Sequence, residues 1–532
     1  MERRYSGVPP AGVRGYASVL EKVQQFVIYL YEHIREKNIS EIRSMYSHTF
    51  FRLSDMYFKD TAWPPVEDIA EFVDKDQVFC LLYQELYYRH VYARLFPKVH
   101  DRKQSWLTYC QLFDIMLRGK VTMQLPNEWL WDMLDEFMYQ FQAYHQFRGK
   151  ISQHTPEDKQ VLLDFETSKE KVWNILDVFN FLQAMVDQSH IIPELQRDGG
   201  AKLLESDGFQ PNGSNVLRVL GYFSLIGLLR VHSLIGDYAG ALKALGPLKV
   251  HEPRGLFARK IPGAFITLYY YAGFSYLMMR RYADAAQCFN NALLYIPAAK
   301  EFRQDRTQLT QIERKEEQMY QLLAITVALC PWVQKHHVDE RVTERLMEHL
   351  REKVQAMRRG NMAVFDELFS AGCPRFITTQ APDYNKSGDT NQEAYHNQLR
   401  LFMEEVRQHQ GVTDLPQYLK LYSSISLEKL AGMVDITESA LRMQLMCMKN
   451  KNFERQWVSG GADCLAGQFT STSDVDFFID VDEATGKEFL MIAESQAERS
   501  HVQTLVRHIA RFQDITMDLQ RIPPVATTRL GT

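Results

Sequence analysis

Seven cysteines are spread over 532 residues, and no two of them form a CxxC pair. This scatter argues against a disulfide framework and against the common thiolate zinc sites, and leads us to expect free, buried thiols in a reducing compartment. Long apolar runs are scarce too. The most apolar stretch, Val219 to Leu229, is bounded by Arg218 and Arg230 and falls short of the ~20 residues that span a bilayer. The beginning, MERRYSGVPPAGVRGYASVL, is basic but has no apolar core of signal-peptide length, so no membrane contact and a cytoplasmic location are expected. Charge of one sign is not in excess either: 61 basic against 66 acidic residues give a formal net charge of -5. A nucleic-acid role would need a local basic face.

Signatures of catalysis are missing as well. No GxxxxGK[ST] and no glycine-rich turn between a strand and a helix offers a cradle for phosphate, and GxSxG, HExxH and HxH near a glutamate are absent. His336 and His337 are adjacent, so on a helix they point about 100° apart and cannot share one metal. Asp474, Asp476, Asp480 and Asp482 lack EF-hand spacing, and strand alternation puts them on a solvent face. The expectation is a non-enzymatic chain with no cofactor and no metal.

Helical periodicity fills most of the sequence. Leu20, Val23, Val27, Tyr31 and Ile34 form one stripe, and Leu130, Leu134, Phe137, Phe141 and Tyr144 form another in a helix opened by Pro126 and Asn127. Residues 190–215, with four glycines among polar residues, read as a connector. Beyond it, Tyr238-Ala239-x-Ala241 recurs 44 residues later as Tyr282-Ala283-x-Ala285, and Leu245 corresponds to Phe289. Small residues after a turn let the second helix of a hairpin sit close to the first, as in tetratricopeptide-like repeats, whose standard length is about 34 residues. The insert GPLKVHEPRGLFARKIPG accounts for the excess. Lys300 to Met319 reads as one charged, solvated helix, and Gly372 to Asn391 as a loop.

Towards the far end the pattern changes. Leu427, Leu430, Ala431 and Val434 share a helical face, Asp435 breaks it, Thr437 caps a second helix, and Leu441, Leu445 and Met448 form its buried side. Val475, Phe477 and Ile479 then alternate with Asp476, Phe478 and Asp480, and DEATGKE leads into Phe489, Met491 and Ile492. A helix-turn-helix followed by a strand pair is a winged helix. The predicted fold class is therefore mostly α: an α-solenoid of helical hairpins, a winged helix, and a C-terminal helix. The expected domains are a 1–62 N-terminal segment, a 63–200 helical domain, a 201–415 helical-repeat part, a 416–494 winged helix, and a 495–532 C-terminal helix and tail.

A winged helix suggests DNA, but its charges do not. Ile436 to Trp457 carries four cations, Arg442, Lys449, Lys451 and Arg455, against Glu438 and Glu454, whereas Asp474 to Glu488 carries six acids against Lys487 alone. A wing that follows phosphates needs cations. Met443, Met446, Cys447 and Met448 on the second helix suit an adaptable protein contact better than base edges. Met443, Met446 and Phe478 are therefore candidate partner-binding residues, with the wing backbone available for sheet-edge pairing that Phe478→Pro would block. The four cations are candidates for a weak RNA or ribosome contact. In ERSHVQTLVRHIARFQD, Val502, Leu505, Ile509 and Phe512 share one face, either for a partner helix in a bundle or as a cap on the winged helix.

Helical repeats ahead of a winged helix resemble the PCI domain of scaffold subunits in the proteasome lid, the signalosome and eukaryotic translation initiation factor three. More specifically, FCLLYQELYYRHVYARLF at Phe79–Phe96, LPNEWLWDMLDEFMYQFQ at Leu125–Gln142, LGYFSLIGLLRVHSLIGDY at Leu220–Tyr238, YYYAGFSYLMMRRYADA at Tyr269–Ala285 and LAGMVDIT at Leu430–Thr437 resemble the subunit L family of that factor. The likeness runs from about Trp63 to about Phe512 and departs at both ends. It implies a non-catalytic scaffold subunit that supports assembly on the small ribosomal subunit. Subunits K and E are the implied neighbours, together with the small ribosomal subunit and RNA reached indirectly. A scaffold of the lid or signalosome, or a winged-helix nucleic-acid binder, is the alternative.

Overall fold

The predicted helical stripes lie at buried faces in the computed structural model, which describes residues 13–119, 121–168, 171–209, 213–301, 306–384, 388–410, 415–458, 464–473, 476–481, 486–493, 505, 508–509, 511–513 and 515–516. The fold is mostly α, with helical hairpins followed by a winged helix. The chain divides into two units. The first is Met1–Leu323 with Asp366–Phe402 and Trp457–Gln468, and the second is Ala324–Phe365 with Met403–Gln456 and Phe469–Thr532.

In the first unit, helix Val13–Glu36 buries Val23, Val27, Tyr31 and Ile34. Helix Asn127–Arg148 begins immediately after Pro126 and buries Leu130, Leu134, Phe137, Phe141 and Tyr144 as the spacing requires. It also buries Trp129, Trp131 and Met133, because helices Gln77–Arg94, Val99–Leu117 and Val216–Ile235 pack around it. Its remaining face, with Asp132, Asp135, Tyr139, Gln142 and Gln146, stays partly exposed. One carboxylate is carried into this core: Glu85 accepts hydrogen bonds from Arg89 Nε (3.1 Å), Tyr109 Oη (3.3 Å) and Trp129 Nε1 (3.4 Å), which offsets its desolvation. Among the described residues, Val216–Ile235 is the one helix long and apolar enough to cross a membrane, and most of it lies inside this core.

The internal repeat forms two hairpins, Val216–Ile235 with Tyr238–Ala244 and Pro262–Met278 with Tyr282–Glu301. Gly236 (φ 86°) ends the first helix, and Asp237 caps the next by accepting from the Gly240 N–H. Ala241, Leu245, Ala283, Ala285 and Phe289 are buried, as the repeat pattern demands. Close packing of the second hairpin depends on Gly273, where a Cβ would lie 2.6 Å from the Phe289 ring.

Three sequence expectations are corrected here. The 190–215 connector contains two short helices, Ile191–Asp198 and Ala201–Glu205, because Gly199 and Gly200, both left-handed, close one helix and open the next without a long loop. The charged stretch is not solvated throughout: on helix Arg306–Leu329, Ile312 and Met319 are buried. Lys315 lies on that helix with its Nζ 3.6 Å from the Tyr270 ring centroid, and burial holds its pKa down to about 7. In the wing, the core residue of the last strand is Leu490, absent from the predicted set. Period-two alternation turns Leu490 inward and leaves Phe489 and Met491 on the outer face.

The loop after Gly372 is there as expected. Side chains of one helix hold it, with Gln142 donating to the Arg375 carbonyl (2.6 Å), Gln146 to Phe376 (2.7 Å) and Arg148 to Thr378 (3.1 Å).

Candidate protein-binding site

The second unit contains the winged helix. Among the described residues the strands are β1 (Ser424–Ser426), β2 (Phe453–Gln456), β3 (Gln468–Ser471), β4 (Asp476–Val481) and β5 (Glu488–Ala493). Helices Leu427–Val434 and Glu438–Asn452 stand between β1 and β2. Asp435 adopts a left-handed conformation at the end of the first, and Thr437 caps the second by accepting from the Ala440 N–H. Leu427, Leu430, Leu441, Leu445 and Met448 meet Ile425, Phe477 and Leu490 in one small core. The sheet has the order β1-β5-β4, with both pairs antiparallel. Val475 lies outside the described residues.

The ladder alternation shows which β4 groups face outward. The Ile492 N–H donates to the Ser423 carbonyl, so Ile492 and Leu490 direct their backbone groups to β1 and Met491 directs its own to β4. Met491 is paired with Phe478, so the Phe478 N–H points into the sheet. The outer edge carries Phe477, Ile479 and Val481. Two of these N–H groups meet neighbouring carboxylates, Phe477 on Asp476 (2.8 Å) and Val481 on Asp480 (2.9 Å). Aspartate side chains thus cover part of an edge that would otherwise invite any strand.

The apolar candidates are exposed. Met443 (72% exposed) and Met446 point away from the core on the second helix, and Phe478 (52%) lies on the outer sheet face. Val502 lies outside the described residues. Leu505, Ile509 and Phe512 are all exposed at helical positions, and Ile515, three residues further and not singled out from sequence, extends the same stripe. Phe469 and Val481 are exposed too; sequence offered no signal for Phe469, since β3 has no clear alternation.

The basic candidates are all engaged within the chain. Arg442 pairs with Glu488 on β5, and Lys449 reaches Asp476 (3.4 Å) and the Phe477 carbonyl (2.6 Å). Lys451 is buried and pairs with Glu405, and the Arg455 guanidinium stacks 5.1 Å from the Phe469 ring centroid. Acids that made the wing look hostile to phosphate thus serve as partners for its cations. Among the described residues, no group of three His, Cys, Asp or Glu side chains gathers as a metal site.

These features define a class: a mostly α, helical-repeat protein with a winged helix that shows apolar side chains and whose cations are engaged within the chain. A protein-family model described as "RNA polymerase I-associated factor PAF67" matches residues 101–512. Eukaryotic translation initiation factor 3 subunit L of Nematostella vectensis is 40% identical over 531 residues, covering 98% of this chain and 97% of that protein. The proteins of the same name from Danio rerio and Homo sapiens are each 38% identical over 90% of this chain, and 82% and 83% of their own lengths are covered. The chain belongs to the eukaryotic translation initiation factor 3 subunit L family. With the Nematostella protein, the similarity extends past the 63–512 range expected from sequence.

Proposed function

We propose that this chain is a non-catalytic scaffold subunit of eukaryotic translation initiation factor three, acting in the cytoplasm. It supports assembly of the initiation complex on the small ribosomal subunit through contacts between PCI domains and through a helix bundle. The observation that carries this reading is the apolar stripe Leu505, Ile509, Phe512 and Ile515, exposed at helical positions in the same unit as a well-packed winged helix. An intramolecular cap would bury that stripe; a bundle helix leaves it for a partner. Met443, Met446 and Phe478 supply a second apolar face, and the β4 edge supplies backbone groups for strand pairing. Subunits K and E are the neighbours we assign, with residues 416–494 and 495–532 as the docking segments.

A nucleic-acid function for the winged helix has less support, because Arg442, Lys449 and Lys451 would each have to leave an acidic partner to reach phosphate. Mass spectrometry of proteins co-purified with the tagged full-length chain tests the proposal. Other subunits of the factor and small-subunit ribosomal proteins are expected. Recovery of proteasome lid or signalosome proteins alone would refute it.

A further inference from the structure

Arg230, Arg314, Lys315 and Arg375 gather around two buried tyrosines of the first unit, outside the docking segments proposed above. Tyr270 and Tyr271 are buried on helix Pro262–Met278, and the Tyr270 hydroxyl donates to the Gly372 carbonyl (2.8 Å), which fixes its ring. The Lys315 amine lies 3.6 Å from the Tyr270 ring centroid and 5.5 Å from that of Tyr271. The Arg230 guanidinium lies 5.8 Å from the Tyr271 centroid and donates to Asp135 (2.6 Å) and Gln142 (3.4 Å). Gln142 in turn donates to the Arg375 carbonyl, so one side chain links Arg230 to the loop that carries Arg375. Arg314 precedes Lys315 on helix Arg306–Leu329. Lys315 is partly exposed, and Arg314 and Arg375 are exposed, so the cluster is open to solvent.

We propose that these four cations form a socket for an acidic side chain of a protein partner, a contact separate from the winged helix and the C-terminal stripe. The acids of the chain leave the socket unfilled. Asp135 is taken by Arg230. The acids flanking Lys315 on its own helix serve other groups: Glu316 bonds Lys300 (2.6 Å), Glu313 lies 3.9 Å from the same amine, and Glu317 accepts from Gln321 (3.5 Å). Among the described residues no carboxylate pairs with Arg314, Lys315 or Arg375. Burial and Arg230 hold the Lys315 pKa down, with Arg314 and Arg375 adding to the fall and Asp135 opposing it, and an arriving anion reverses that effect. Guanidinium forks at the rim match the two oxygens of a carboxylate. A polyanion such as RNA needs cations in a run along its backbone. Here the borders are acidic, with the side chains of Asp135 and Glu313 42% and 62% exposed. A single carboxylate on an acidic peptide fits between them.

The test titrates the purified full-length chain into fluorescein-labelled hexaglutamate and, separately, fluorescein-labelled hexauridylate, and reads the anisotropy. It needs no other subunit, so its outcome is independent of the proposed place in the factor. Arg314→Gln combined with Arg375→Gln removes the two exposed cations of the socket. Lys315→Met keeps the stem against Tyr270 and removes the charge. Arg341→Gln combined with Arg407→Gln removes two exposed cations elsewhere and serves as the charge-matched control. The hexaglutamate Kd should rise at least about 10-fold in the double socket variant and in Lys315→Met, from the loss of charged hydrogen bonds, and stay at the parental value in the control. The melting curve of the double socket variant should match the parent, because both side chains are exposed. No binding by the parent, or an unchanged Kd in both socket variants, would overturn the socket. An equal rise in the control would overturn it too, since net charge alone would then be responsible. Tighter binding of hexauridylate, lost in the same two socket variants, would overturn the carboxylate and assign the cations to phosphate.

Discussion

Proline placed at successive positions of β4 should have opposite consequences, which makes the edge of the winged helix testable. The Phe478 N–H points towards Met491 on β5, and the Ile479 N–H points outward. Phe478→Pro therefore removes one ladder hydrogen bond and leaves the Met491 carbonyl without its donor. The lost bond and the unsatisfied acceptor together cost about 2–4 kcal/mol relative to Phe478→Ala. Ile479→Pro removes only an outward N–H, so beyond the side-chain loss shared with Ile479→Ala the backbone penalty is about 1 kcal/mol or less. Each proline is compared with alanine at the same position, which cancels the contribution of the side chain. Thermal unfolding of the purified chain reads the first effect, and co-purification with other subunits of the factor reads the second. We expect Ile479→Pro to remain folded but to be excluded from the complex that Ile479→Ala enters. Incorporation of both Ile479 variants at parental levels would rule out strand pairing at this edge, and a larger proline penalty at 479 than at 478 would show the deduced alternation to be wrong.

Other predictions address the core, the buried acid and the C-terminal stripe. Phe137 is fully buried, so Phe137→Ala should lower the stability of the first unit by about 3–5 kcal/mol in denaturant unfolding. Burial pushes the Glu136 carboxyl from 4.5 up to about 7, with Glu85 and Asp135 adding to the rise and Gln140 and Arg89 opposing it. Because the folded-state value is raised, the stability contributed by the protonated acid is full below about 4.5 and is lost as pH rises through about 7. The melting temperature of the parent should therefore fall more between pH 5 and pH 8 than that of Glu136→Gln, and parallel profiles would contradict the assignment. Replacing Leu505, Ile509 and Phe512 together by Asp should leave the melting curve of the chain unchanged while abolishing its recovery with partner subunits.

Much of the secondary structure could be read from local chemistry. Pro126 opens a helix, Asp435 ends one, Thr437 caps one, and the Tyr-Ala-x-Ala repeat marks the start of each second hairpin helix. Each of these features depends on a few residues close in sequence, so a pattern suffices to find it. The 190–215 segment was misread because a pair of left-handed glycines looks the same whether it begins a loop or joins two helices. The exposed methionines were legible, since their neighbours at helical spacing are the apolar positions of the core.

By itself, the sequence determined where helices and strands form, which faces are apolar, and that the wing is acidic, because backbone preference and hydrophobic period are local properties. Pairing across long separations was decided only by the tertiary structure. Cations that composition offered to a nucleic acid are engaged by acids from the wing and from the preceding helix, Arg442 by Glu488 and Lys451 by Glu405. Glu85 survives in the core because Arg89, Tyr109 and Trp129 converge on it from three helices. The bonds of Arg281 to the Cys464 carbonyl (2.7 Å) and of Asp284 to the Trp457 N–H (3.2 Å), each spanning more than 170 residues, have no local signature at all. Charge and hydrogen-bond satisfaction depend on which atoms lie within about 3 Å once the chain is folded, and a linear pattern does not contain that distance.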